Sequence, residues 1–224
     1  MIIRKTLPGE RWLLYSPIGL RLLDDMTGNM PFGPVKSLLD RQDAAGNWQE
    51  TTINARMTPS GYLTYPGLER HPDVSGPSRR YRCRIEADFY GPLYRAMQDG
   101  IEFDAFPYND TNPPANFPPP PNLPLPQDVV LTPASNYPFP PHIPVLRGRT
   151  VDVNGDPVPD AVVSQGLQER VLTDRRGAFA LPLRWVPPNV PVFIDANHQR
   201  TGRTGTIPIM IPQNLGQNND IQIT

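Results

Sequence analysis

The sequence predicts an all-β protein in which a proline-rich extended segment joins two β-sandwich domains. Of the 224 residues, 31 are Pro, about three times the usual share, and each Pro inside a helix costs roughly 3 kcal/mol. Short β-branched and aromatic runs recur between turn signals, and 14 of the prolines lie in residues 107–144. We therefore expect a first sandwich over residues 1–106, the segment over 107–145 and a second sandwich over 146–224.

The first half of the chain carries short strand patterns. Clusters of Gly, Asn, Asp and Pro separate them, as in residues 43–47 and 58–61, and such clusters mark turns. Short strands at a spacing of about ten residues are typical of a sandwich. The strands expected here are residues 12–15, 20–23, 35–39, 51–57, 62–65 and 81–87.

The second half repeats this pattern after the prolines. Asn154-Gly155 after an apolar run is a strong signal for a tight hairpin turn. Pro208 within residues 206–211 indicates an edge strand, where a missing backbone donor is harmless. The strands expected here are residues 149–153, 161–163, 170–172, 178–183, 190–194, 206–211 and 220–224.

Arginine alternates with apolar residues in the clearest strand pattern. Arg80, Arg82 and Arg84 lie on one side of that strand because successive side chains face opposite ways. We predict a solvated basic face, and the alternatives are binding of an acidic partner surface or of nucleic acid. Cys83, the only cysteine, lies on the apolar side, which indicates a small core residue rather than a nucleophile.

Aromatic residues lie in and beside the proline-rich segment. Consecutive prolines favour an extended polyproline conformation, while a purely flexible linker would carry fewer aromatic side chains. Three interpretations stay open: a stiff spacer, a strap packed against a folded surface, and an SH3-type ligand. The aromatic side chains either dock the segment or bind a protein or a sugar. These candidates for partner binding are Phe103, Phe106, Tyr108, Phe117, Tyr137 and Phe139.

Three stretches of the second half carry a family resemblance. Residues 147–152 read RGRTVD, residues 154–163 read NGDPVPDAVV, and residues 173–179 read TDRRGAF. Over residues 146–196 the chain resembles the carboxypeptidase regulatory-like domain, a small sandwich related to transthyretin-like and Ig-like folds. The resemblance implies two transthyretin-like or Ig-like domains, the first a weaker copy. It also implies a non-catalytic role as a spacer, adhesion module or assembly contact.

The residue types that usually carry catalysis or bind metals form no recognisable pattern in the sequence. His71, His142 and His198 stand far apart, and none has the spacing of metal ligands. Residues 152–160 are superficially similar to a calcium loop, but the glycine is misplaced and turn chemistry explains these residues better. We therefore expect no enzyme activity, no cofactor and no metal.

Charge and hydropathy limit the partners and the location. The formal net charge is -1, which argues against a nucleic-acid binder. No apolar run is long enough to span a membrane or to form the core of a signal peptide. We therefore expect synthesis in the cytoplasm without a signal peptide. One cysteine excludes an internal disulfide, which favours a reducing compartment.

The function expected from these observations is structural. The chain would act as a connector or decorator that binds other protein subunits of a larger complex. By analogy, a phage tail, baseplate or contractile injection machine is the setting we consider, and the protein would then be part of a virion or an injection particle. The alternative is an adhesion module that binds carbohydrate or a host surface.

Overall fold

The computed structural model describes residues 3–7, 10–92, 100–111 and 126–224, and these residues form an all-β protein without a helix. The strands are β1 (Ile3–Leu7), β2 (Glu10–Leu14), β3 (Gly19–Asp24), β4 (Val35–Gln42), β5 (Trp48–Glu50), β6 (Arg56–Met57), β7 (Tyr62–Thr64), β8 (Arg79–Ala87), β9 (Tyr90–Pro92), β10 (Ile101–Ala105), β11 (Gln127–Pro133), β12 (Val145–Val151), β13 (Val162–Gln165), β14 (Glu169–Leu172), β15 (Ala178–Pro182), β16 (Val192–His198), β17 (Arg203–Ile209) and β18 (Asn219–Gln222).

The all-β prediction is confirmed, and most expected strands are present with shifted ends. The strand expected over residues 51–57 is wrong, because only β6 forms at its end. Thr51 instead turns the chain: its Oγ1 donates to the Leu39 carbonyl at 2.8 Å and accepts from the Ile53 N–H at 3.3 Å. Five strands were not expected, namely β1, β5, β9, β10 and β11.

Close contacts divide the chain into two compact units. Each unit gathers stretches from separate parts of the chain, and the domain bounds expected from the sequence stay a prediction. The first unit comprises Met1–Leu23, Val35–Glu86 and Met97–Val129, and the second comprises Asp24–Pro34, Ala87–Ala96 and Val130–Thr224.

The first unit is built around β8. In one sheet β5, β4, β8 and β10 are successive neighbours, while β3, β7 and β6 pair in that order. The alternation predicted for β8 is confirmed: Tyr81, Cys83 and Ile85 are buried, and the arginines between them are not. The apolar side of β8 therefore faces the core of this unit.

The second unit contains a two-sheet core. One sheet has the order β15-β12-β18 and the other has the order β14-β13-β16-β17. Buried residues from both sheets form one hydrophobic cluster, with Leu146, Val163, Phe179, Ile194 and Ile221 among its members. This shared core gives the second unit its β-sandwich character.

Two turn and edge predictions are confirmed in this sandwich. Gly155 has a φ of 85°, a value that glycine adopts without strain, and the Asp152 N–H donates to the Asp156 carbonyl at 2.8 Å to close the turn. Strand β17, which contains Pro208, is at the edge of its sheet. In the described part of the chain, no helix is long and apolar enough to cross a membrane.

Candidate interaction surface

The basic side of β8 is paired with carboxylates. The Asp40 carboxylate is buried and accepts hydrogen bonds from the Nε atoms of Arg82 at 2.9 Å and Arg84 at 2.8 Å. Arg80 is more exposed, and its Nη2 donates to the Glu102 carboxylate at 2.6 Å. These ion pairs balance the three arginines that we considered for partner binding, and whether any of them binds a partner stays a prediction.

Two of the candidate aromatic residues pack inside the first unit. Phe103 stacks against both Tyr65 and Tyr81, with ring centroids 6.2 and 5.8 Å apart. Tyr108 is buried and meets Tyr15 edge to face at 5.3 Å. Such geometry is the usual one for stabilising aromatic pairs, so both side chains support the fold here.

The remaining candidate aromatics differ in exposure. Phe106 is exposed, Tyr137 is buried and Phe139 is half-buried, while Phe117 lies outside the described residues. Tyr137 and Phe139 have ring centroids 4.6 Å apart. Of the three described residues, Phe106 is the most exposed.

Tyr137 also takes part in a buried polar cluster of the second unit. The Asp24 carboxylate accepts hydrogen bonds from the hydroxyls of Tyr137 at 2.8 Å and Tyr90 at 3.3 Å, and from the Met26 N–H at 2.8 Å. Asp24 is only 2% exposed. These bonds tie three separated stretches of the second unit together.

Cys83 is a core residue, as predicted. Its thiol is buried between the hydroxyls of Ser37 and Tyr65, at 3.3 and 3.2 Å. Burial raises the pKa of the thiol, so the reactive thiolate form is disfavoured. The thiol therefore lacks both the access and the ionisation that a nucleophile needs.

The other residues tested for chemistry have local roles. His71 and His142 are exposed, and His198 Nδ1 lies 2.7 Å from the hydroxyl of Thr201. Asp152 Oδ1 accepts from two backbone N–H groups of its own turn, at 2.8 and 2.9 Å. Among the described residues, no group of three His, Cys, Asp or Glu side chains could hold a metal ion.

A cleft of about 270 Å³ opens in the second unit, at the turn between β13 and β14. It is lined almost entirely by polar atoms, and two loops and two strand ends meet there. The lining residues are Asp25, Met26, Pro133, Leu167, Gln168, Glu169, Arg170, Pro182 and Arg184.

Two arginine–carboxylate pairs build the walls of this cleft. Arg170 donates to Asp25 through Nε at 2.5 Å and Nη2 at 2.8 Å. Arg184 donates to Glu169 through Nε at 2.6 Å and Nη2 at 3.1 Å, and the Glu169 side chain is only 2% exposed. Paired geometry of this kind fixes both partners in position.

Two large exposed apolar residues are close in sequence to the arginine–carboxylate pairs of the cleft. Leu167 lies in the turn two residues before Glu169 and is fully exposed, and Trp185 follows Arg184 directly and is 66% exposed. Because Arg184 and Glu169 are bonded, Leu167 and Trp185 stand at the same end of the sandwich. We call this end, with the cleft, the docking end.

The sequence reasoning missed the docking end. Its ion pairs join residues up to 145 positions apart, and no local pattern predicts such contacts. One signal was available: Leu167 stands between Gly166 and Gln168 in a turn, where an apolar side chain has no core to enter.

No protein-family model, curated protein or solved structure matches this chain.

Proposed function

We propose that this chain is a non-catalytic assembly protein that binds another protein subunit through its docking end. The observation that carries the proposal is the pair of exposed apolar residues at the docking end: Leu167 lines the cleft braced by two arginines, and Trp185 directly follows one of these arginines, Arg184. Tryptophan and arginine dominate the energetic centres of protein interfaces. A rigid polar cleft with exposed apolar residues at the same end of the sandwich suits the binding of a protein surface better than catalysis of a reaction.

The free hydrogen-bonding groups of the cleft define the partner's chemistry. Arg170 uses Nε and Nη2 for Asp25, which leaves its Nη1 free to donate. The exposed Gln168 side chain makes no hydrogen bond within the described residues. The partner segment would therefore bring an apolar side chain against Leu167 and Trp185, and an oxygen acceptor, a backbone carbonyl or carboxylate, into the cleft.

The proposal also covers the type of the domains and the larger assembly to which the protein belongs. The two-sheet core of the second unit supports the resemblance of residues 146–196 to a carboxypeptidase regulatory-like domain. The arrangement of two transthyretin-like or Ig-like domains around a proline-rich connector belongs to the same proposal. So does a place in a phage tail, baseplate or injection machine, which rests on analogy alone.

Site-specific photo-crosslinking tests the docking end. A photoreactive amino acid replaces Leu167 in the full chain, and in a matched control it replaces Val153, which is 64% exposed on the turn of residues 152–156. We expect the probe at position 167, and not the one at 153, to crosslink one protein of the native source. Mass spectrometry would identify that protein for purification.

Binding to the purified partner then decides the proposal. We expect Trp185→Ala to weaken binding at least about tenfold, which corresponds to about 1.4 kcal/mol, and Val153→Ala to leave it unchanged in isothermal titration calorimetry. Equal crosslinking from both positions, or wild-type affinity of Trp185→Ala, would overturn the proposal.

A further inference from the structure

The outward face of β16 and β17 is a second exposed surface of the second unit, next to the docking end. On β16, Ile194 and Ala196 belong to the hydrophobic core. Because side chains alternate along a strand, Phe193, Asp195 and Asn197 point to the other side, and all three are exposed. Phe193 is 64% exposed, so its ring is open to solvent.

Strand β17 extends this face with small and hydroxylated side chains. Pro208 is opposite Phe193, Thr206 is opposite Asp195, and Thr204 is opposite Asn197 in the antiparallel register. All three β17 residues are exposed. The aromatic ring therefore stands at one end of a strip of hydroxyl, carboxylate and amide groups.

The polar groups of this strip are largely free. The Thr206 hydroxyl donates to Asp195 Oδ1 at 2.7 Å, which orients the carboxylate and leaves Oδ2 open. Asp195 has no ion-pair partner in the described part of the chain. The side chains of Asn197 and Thr204, and of Ser164 opposite Asp195 on β13, make no hydrogen bond among the described residues.

We propose that this outward face binds a neutral saccharide. The apolar C–H face of a sugar ring would lie on Phe193, and its hydroxyls would bond to Asp195, Asn197 and Thr204. Same-face side chains repeat about every 7 Å along a strand, and strands lie about 4.8 Å apart, so the strip matches one to two sugar rings. Phe193 lies at the end of the strip nearest the docking end, because β13 runs antiparallel to β16 and leads into the turn that carries Leu167. The saccharide is a different ligand from the protein subunit proposed for the docking end.

Other ligand classes match this face less well. A phosphate or sulfate would meet the Asp195 carboxylate, because β16 and β17 present no arginine or lysine on this side. Arg170, opposite Ser164 on β14, is already paired with Asp25. An apolar protein surface would bury Asp195 and Asn197 without partners, at a cost for each unpaired polar group. Backbone pairing along the β17 edge is interrupted by Pro208, which lacks an N–H.

A glycan array with the full-length protein is the first test, followed by titration calorimetry with the glycans it binds. We expect binding to neutral glycans and at least a tenfold loss of affinity in Phe193→Ala. Phe193→Tyr keeps an aromatic face, so it should restore most of the binding. Asn197→Ala should weaken binding several-fold, and Val153→Ala, on a turn outside the strip, should match the wild type.

Both the glycan array and the variants can contradict saccharide binding at this face. Phe193 and Asn197 are exposed, so the variants should unfold at the wild-type urea midpoint, and a loss of binding then reports on the face itself. No neutral glycan bound, binding of sulfated or phosphorylated glycans only, or unchanged affinity in Phe193→Ala would each overturn it. Binding of a protein partner on Phe193 would do the same.

Discussion

Two buried carboxylates, one in each unit, are held in opposite ways. Asp40 and Asp24 are each only 2% exposed. The Asp40 carboxylate accepts four hydrogen bonds from the guanidinium groups of Arg82 and Arg84. The Asp24 carboxylate accepts from two tyrosine hydroxyls and one backbone N–H, all of them neutral donors.

This difference in donors predicts how each site responds to mutation of its carboxylate. Removing Asp40 leaves two partly buried positive charges without their main counter-ion, and uncompensated buried charge is strongly destabilising. Removing the charge of Asp24 leaves only neutral donors, and a neutral acceptor can still satisfy some of them. The first site thus depends on charge, and the second on hydrogen-bond geometry.

The largest effect is expected for Asp40→Ala. We expect a loss of about 3 kcal/mol in the free energy of unfolding, since Arg84 keeps Glu50 as a partner at 2.8 Å while Arg82 keeps no carboxylate in the described part of the chain. Urea unfolding followed by circular dichroism measures it. A loss under about 1 kcal/mol, the value for exposed pairs, would contradict a buried role.

Asparagine variants of both residues sharpen the comparison. We expect Asp24→Asn to cost about 1 kcal/mol, because the amide oxygen still accepts from Met26 N–H or Tyr137. Asp40→Asn should cost clearly more, because its amide cannot neutralise two arginines. Equal losses in the urea midpoints of the two variants would show that charge does not distinguish the sites.

The sequence predicted that Arg82 and Arg84 share one side of β8, but not that both pair with Asp40. Arg82 and Arg84 follow the period of a strand, so their common side is readable from local spacing. Their partner is more than 40 residues away, and side-chain contacts at that separation depend on the register of β4 against β8. A strand period predicts which residues share a face, and it contains no information on what lies opposite.

The Asp24 cluster and the docking end were harder still to predict. Strand β11 contains prolines at or next to its ends, and the proline excess of its surroundings hid its pattern. Asp24 and Tyr137 lie 113 residues apart. Asp25 pairs with Arg170, 145 residues further along the chain. Apolar residues such as Trp185 suggest burial from sequence, so their exposure is visible only in the structure.

Low pH should reduce the stability that the Asp40 ion pairs add to the folded protein. Burial of Asp40 works to raise its pKa, but the hydrogen bonds and charges of Arg84 and Arg82 outweigh it and lower the pKa. A lowered pKa adds stability above the unfolded value, about pH 4, and that stability is lost as the pH falls through the folded value. The urea midpoint of wild type should therefore fall more steeply below pH 4 than that of Asp40→Asn.

The smallest expected effect is a change in stability at alkaline pH, which depends on the hydrogen bond between Tyr90 and Asp24. Burial, and after it the negative charge of Asp24, raises the pKa of Tyr90 to about 12. The neutral phenol is thus favoured in the folded state. The stability that Tyr90 adds is complete below about pH 10, the unfolded pKa, and is lost as the pH rises towards 12.

The Tyr90→Phe variant tests this effect. It removes the stability that the neutral Tyr90 phenol adds, so it should slightly flatten the fall of the urea midpoint at alkaline pH. The pKa values of Tyr65, Tyr81 and Tyr137 are also raised, so these tyrosines contribute to the alkaline decline in both proteins. The difference between wild type and variant therefore reports on Tyr90 together with its influence on Tyr137, which bonds to the same carboxylate. An identical decline in the two proteins would mean that the hydrogen bond to Asp24 does not favour the neutral phenol.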